Sequence, residues 1–125
     1  MSGTSAVVTT DHRLSTPPLD SQSCPVDQPL AFGADPAAEA ADAVRGSVQA
    51  DHPSAQIGLS YGAQQPAPAG HDYAGIPFQQ CGFVIGARTW VVEVHLPDLE
   101  PSESLSNVQY FVSRFRDGWR VWGSY

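Results

Sequence analysis

The chain has 125 residues, with 13 acidic against six basic side chains, a net charge of −7 and an isoelectric point near 4.7. Apolar residues make up 42% and charged residues 15%, a balance that excludes a wholly disordered polyampholyte and a coiled coil. So few bases leave no electrostatic footprint for nucleic acid or for an anionic membrane surface. No apolar run approaches the ~20 residues of a membrane helix.

One domain is the natural count for this length. Residues 1–34 read as a disordered tail, rich in Ser, Thr, Asp and Gln and broken by Pro17, Pro18, Pro25 and Pro29. They lack the basic start and apolar core of a secretory signal. Cys24 follows Ser21-Gln22-Ser23 and is no lipid-attachment site. The domain proper is expected over 35–125. An exported or envelope location is expected if the chain has been trimmed, and a cytoplasmic one otherwise.

Asp35-Pro36 opens a helix, Asp as N-cap and Pro where its missing N–H costs nothing. Ala37, Ala41, Val44 and Val48 form its apolar stripe, and His52-Pro53 ends it. The stripe is thin, so this helix needs a sheet to lie on. Ala55, Ile57, Leu59 and Tyr61 then alternate with Gln56, Gly58, Ser60 and Gly62, the two-residue period of a half-buried strand whose two glycines leave the outer face bare or closely approached. Residues 62–80 read as a long loop containing His71-Asp72-Tyr73, which offers an acid, a base and a stacking surface. Such loops are functional or disordered.

Phe83-Val84-Ile85 and Thr89 to Leu96 are β-rich, either one strand bent at Gly86 or a hairpin around Gly86-Ala87-Arg88. Trp90, Val92, Val94 and Leu96 point one way; Val91, Glu93 and His95 point the other. After an acidic connection over 97–106, residues 107–116 and 119–125 form a hairpin about Asp117-Gly118. A two-residue turn there puts Arg116 opposite Trp119, Arg114 opposite Val121, Ser113 beside Trp122 and Tyr110 opposite Tyr125. Phe111, Phe115 and Trp122 emerge as the cleaner apolar set and as candidate binding residues. Arg114 and Arg116 beside Trp119 form either a cation–π patch or a solvated edge. The expected fold is α+β: one amphipathic helix packed on an antiparallel sheet of about four strands.

The ending Val108-Gln-Tyr-Phe-Val-Ser-Arg-Phe-Arg-Asp-Gly-Trp-Arg-Val-Trp resembles the closing hairpin of SnoaL-like cone domains, also called cystatin-like or nuclear-transport-factor-like. The likeness covers about 20 residues, and the helix over 36–48 is shorter and less apolar than that family's opening helices. It implies a curved antiparallel sheet wrapped on helices and implies no activity, since that fold hosts enzymes and binding modules alike. A looser likeness links the ending to small exported lipoproteins of high-GC bacteria.

Two cysteines, Cys24 and Cys81, permit one disulfide, which would tie the tail to the sheet and imply an oxidising compartment; the other reading is two unrelated thiols. Glu93 and His95 share a strand face and are the candidate catalytic pair, a carboxylate beside an imidazole. The same pair on an outer strand face is ordinarily solvated. His12 and His52 are isolated, no histidine spacing fits a metal site, and no cofactor motif occurs. Two functions follow. The first is a non-catalytic domain that binds a protein or small-molecule ligand on its aromatic face. The second is a small cone-fold isomerase or hydrolase using Glu93 and His95 with Tyr110 or Asp72 in a closed apolar pocket. A homodimer through the C-terminal strand is a further expectation.

Overall fold

The computed structural model describes residues 24–65, 67–101 and 106–125. Helix α1 (Pro36–Val48) is followed by strand β1 (Gln56–Gly62), two short helices α2 (Gly75–Cys81) and α3 (Phe83–Ala87), strand β2 (Thr89–His95), a 3-10 turn (Pro97–Leu99), and strands β3 (Asn107–Phe115) and β4 (Gly118–Ser124). The strands form one antiparallel sheet in sequence order, β1-β2-β3-β4. The fold is α+β, and each face of the sheet carries its own apolar cluster.

On the first face lies α1. Asp35 caps it by accepting from the Ala38 amide at 3.3 Å, and Ala40, Val44 and Val48 are its buried residues. They pack with Trp90, Val92, Val94, Leu96, Tyr110 and Val112. Two contacts fix the helix beyond this apolar burial: Ser60 Oγ donates to the Ala37 carbonyl at 3.1 Å, and Trp119 Nε1 donates to Glu39 at 2.8 Å. Phe32 closes the cluster, edge-on to Trp90 and stacked on Trp119.

The second face holds Val91, Phe111, Phe115, Trp122 and Tyr61, with Ile76, Cys81 and Ile85 packed against them. Helices α2 and α3 therefore occupy ground read from sequence as loop and strand. Phe83-Val84-Ile85 is a run too short for its composition to decide between helix and strand. Ile85 packs inward while Phe83 and Val84 stay exposed. Gly82 turns the chain between the helices at φ 90°, and Gly86 lets them meet, since a Cβ there would sit 2.5 Å from Phe78 Cγ.

The domain starts earlier than expected. Residues 1–23 lie outside the described residues, but the chain from Cys24 belongs to the domain. Cys24 and Cys81 form a disulfide with a Cα–Cα distance of 5.5 Å. The strap that follows is held by Leu30 N–H to the Arg114 carbonyl (2.6 Å), Arg114 to the Ala31 carbonyl (2.8 Å) and Arg88 to the Pro29 carbonyl (2.8 Å).

Two registers also differ from the alternation. A bulge between Ile57 and Ser60 breaks the period of β1, so Ile57 joins the first cluster, Tyr61 the second, and Leu59 is exposed. In the closing hairpin the two-residue loop is Arg116-Asp117, and Phe115 faces Gly118, whose φ of 117° suits glycine. Arg114 thus opposes Trp119, and Val112 opposes Val121, before a second irregularity leaves Tyr110 opposite Ser124. The cation–π contact is accordingly Arg120 over Phe115, at 4.1 Å, and not Arg114 or Arg116 on Trp119.

Replacing both cysteines by serine is expected to lower unfolding free energy by about 4 kcal/mol, the chain-entropy value for a loop of this size. Urea denaturation checks it, and an unchanged midpoint would contradict the strap's role. Gly86→Ala is expected to cost about 2 kcal/mol by overpacking against Phe78, read in the same titration.

Candidate functional site

The second face of the sheet changes character along its length. Val91 pairs with Phe111 under the α2–α3 cover. The next same-face position pairs Glu93 with Gln109, and the next pairs His95 with Asn107, with Gln56 opposite His95 on the other side. Apolar side chains thus give way to carboxylate, imidazole and carboxamide where the helices end. A cleft of about 410 Å3 lies over this polar half, with Gly58, His71 and Tyr73 also among its lining residues. Gly58 leaves the floor beside Glu93 low, as the bare outer face of this strand predicts. Gly62 is the closely approached one: beyond the bulge, a Cβ there would sit 2.6 Å from the Trp90 ring.

Glu93 is the hub. Tyr61 donates its hydroxyl to Oε2 at 2.8 Å, and His71 Nδ1 reaches both oxygens at 2.8 and 2.9 Å. A carboxylate only accepts, so His71 Nδ1 carries the hydrogen. Burial, followed by the hydrogen bond to Glu93, raises the pKa of the Tyr61 hydroxyl far above its ordinary value and keeps it a donor. This cluster holds the loop containing His71 against the sheet.

His95 makes a separate set of bonds. Its Nδ1 donates to Asn107 Oδ1 at 3.0 Å and its Nε2 to Glu100 at 2.6 Å. Two acceptors on one imidazole favour the doubly protonated ring, and the Asn107 bond followed by the Glu100 bond raises its pKa above 6.5. Glu100 belongs to the turn after β2, which His52 also anchors through Asp98 at 2.8 Å. Each of the histidines at 52, 71 and 95 therefore pairs with a carboxylate: two of the pairs hold the turn after β2, and the His71–Glu93 pair fastens the loop that borders the cleft.

The candidate residues divide accordingly. Glu93 and His95 share the cleft, yet neither bonds the other; Glu93 orients His71. Tyr110, expected as a possible partner, lies on the opposite face, packed with α1, where burial pushes its hydroxyl up to about 12. Asp72 lines a second depression, of about 460 Å3, which shares Gly70 and His71 with the first. Phe111, Phe115 and Trp122 do gather on one face, but they are 0%, 2% and 7% exposed, covered by the chain's own helices. The face expected to be open is thus interior. Sequence reading missed Gln56, Asn107 and Gln109, although strand parity on β2 and β3 carried the signal for the last two.

Among the described residues no three His, Cys, Asp or Glu side chains are grouped to hold a metal ion, and no helix is long and apolar enough to cross a membrane. Comparison with protein-family models, with curated proteins and with solved structures finds no match.

The His95 geometry fixes a pH dependence. A folded-state pKa raised above 6.5 gives stability that is complete below 6.5 and lost as pH rises through the folded value. NMR titration is expected to place the His95 midpoint above 6.5, with Glu100→Gln lowering it. A midpoint at or below 6.5 would contradict the doubly donating ring.

Proposed function

We propose that this is a disulfide-stabilised, non-catalytic binding domain, and that its ligand enters the polar cleft over Glu93, His95, Asn107 and Gln109. The observation that carries the reading is the convergence of these side chains from β2 and β3, with Gln56 of β1 and His71 of the loop before α2, on one open concavity. The aromatic set favoured by sequence is closed to ligand, so the binding surface moves along the same face to its uncovered half.

The engagement of the candidate acid–base groups favours binding over catalysis. His95 donates from both ring nitrogens and would have to lose a proton before it could act as a base. Glu93 and His71 form an oriented carboxylate–imidazole pair, which is part of a general-base arrangement. Among the described residues the cleft lining contains no serine, threonine or cysteine to act as nucleophile beside it. The cleft is open and most of its lining side chains are polar, whereas a cone-fold isomerase or hydrolase is expected to close an apolar pocket around its acid–base pair. The Cys24–Cys81 bond supports a workplace outside the reducing cytosol.

Screening small polar compounds by amide NMR is expected to perturb Gln56, Gly58, Glu93, Asn107 and Gln109 together, with the compounds recovered unchanged. Turnover of a bound compound would overturn the non-catalytic reading. Perturbation confined to the exposed corner at Phe83 and Val84 would overturn the cleft as the binding surface.

A further inference from the structure

We infer that the cleft takes a neutral, hydroxyl-rich ligand, a short saccharide; this rests on the cleft being the binding surface. The chemistry of the lining excludes the alternatives in turn. Among the described residues, the lining groups that can carry charge near neutral pH are Glu93, His71 and His95. An anionic ligand would find the protonated His95 ring already paired with Glu100, and would meet the Glu93 carboxylate and a chain of net charge −7. A cationic ligand would look to Glu93, whose two oxygens already accept from His71 and Tyr61. An apolar ligand would strip water from the carboxamides at Gln56 and Gln109 and return no hydrogen bond, a net loss.

What remains is a ligand that donates and accepts without charge. Gln56 and Gln109 each offer one acceptor oxygen and two N–H donors in a plane, a set that matches adjacent hydroxyls. Tyr73 supplies the other element of sugar recognition. It lines the cleft at the border with the apolar half of the face, and its ring packs against Tyr125 at 5.8 Å, which holds it as a wall. The C–H face of a pyranose packs against such a ring while its hydroxyls meet the amides. A neutral peptide also donates and accepts, but extended peptides pair their backbone with a sheet edge, whereas this cleft lies over the face shared by β1, β2 and β3 and presents side chains.

The test is an amide NMR titration of the intact, oxidised protein with four probes: chitotriose, maltotriose, trialanine and spermidine. The expected result is saturable perturbation of cleft amides by a trisaccharide. Gln56→Ala and Gln109→Ala should each weaken that binding by about fivefold, as for loss of a ligand hydrogen bond, with the rest of the spectrum unchanged. Binding unaffected by both substitutions, or trisaccharide perturbation outside the cleft, would overturn the assignment. Cleft perturbation by trialanine or spermidine with none from either trisaccharide would overturn the saccharide class while leaving the cleft as the binding surface. A cleft that answers neither these probes nor the wider screen of polar compounds would overturn both.

Discussion

The Cys24–Cys81 bond is the constraint on which this architecture depends. A four-stranded sheet with large apolar side chains on both faces needs two covers. Helix α1 is long enough, at 13 residues, to supply one by packing its Ala/Val stripe. The other consists of helices of seven and five residues, well below the ~12–15 at which an isolated helix becomes even marginal in water. Their packing through Ile76 and Ile85 is modest, and α3 leaves Phe83 and Val84 in solvent. The disulfide adds a covalent tie at the C-terminal end of α2 and fastens it to the strap that lies along Arg114.

The same shortness creates the cleft. Because α2 and α3 end where they do, they cover Val91, Phe111, Phe115 and Trp122 and leave the next two side-chain rows of the sheet uncovered. Those rows are polar in sequence: Glu93 with Gln109, then His95 with Asn107 and Gln56. Uncovered polar positions on a sheet face would ordinarily be a solvated surface. Here the loop carrying Gly70, His71 and Tyr73 is pinned beside them by the His71–Glu93 pair, which turns the surface into a concavity. Binding capacity thus arises from the boundary between cover and open sheet.

Much of this was legible in the sequence where local rules have one solution. Asp35-Pro36 marks the start of α1 because capping and proline geometry agree there. The faces of β2 follow from parity alone, so the separation of Val91, Glu93 and His95 from Trp90, Val92 and Val94 is visible from spacing. The hairpin was visible too, but Gly118 takes the position after the loop instead of a place within it, and that changes every partner. Helices α2 and α3 were not legible, since Phe83-Val84-Ile85 has strand composition and adopts a helix only through Gly82, Gly86 and contact with a distant face. The pairing of Glu93 with His71 and Tyr61 joins residues up to 32 positions apart, and no local spacing encodes it. The bulge in β1, which sends Ile57 and Tyr61 to opposite faces, lay equally outside a strict two-residue period.

The most direct test of the account is amide hydrogen exchange, residue by residue, on the oxidised and fully reduced protein. Reduction is predicted to release Gly75–Ala87 and the amide of Leu30 to rapid exchange, while β2 and β3 keep their protection and α1 stays folded on the first face. Equal protection in both states would contradict the disulfide as the tie that holds the second cover. Uniform loss across the sheet would contradict the independence of the two faces.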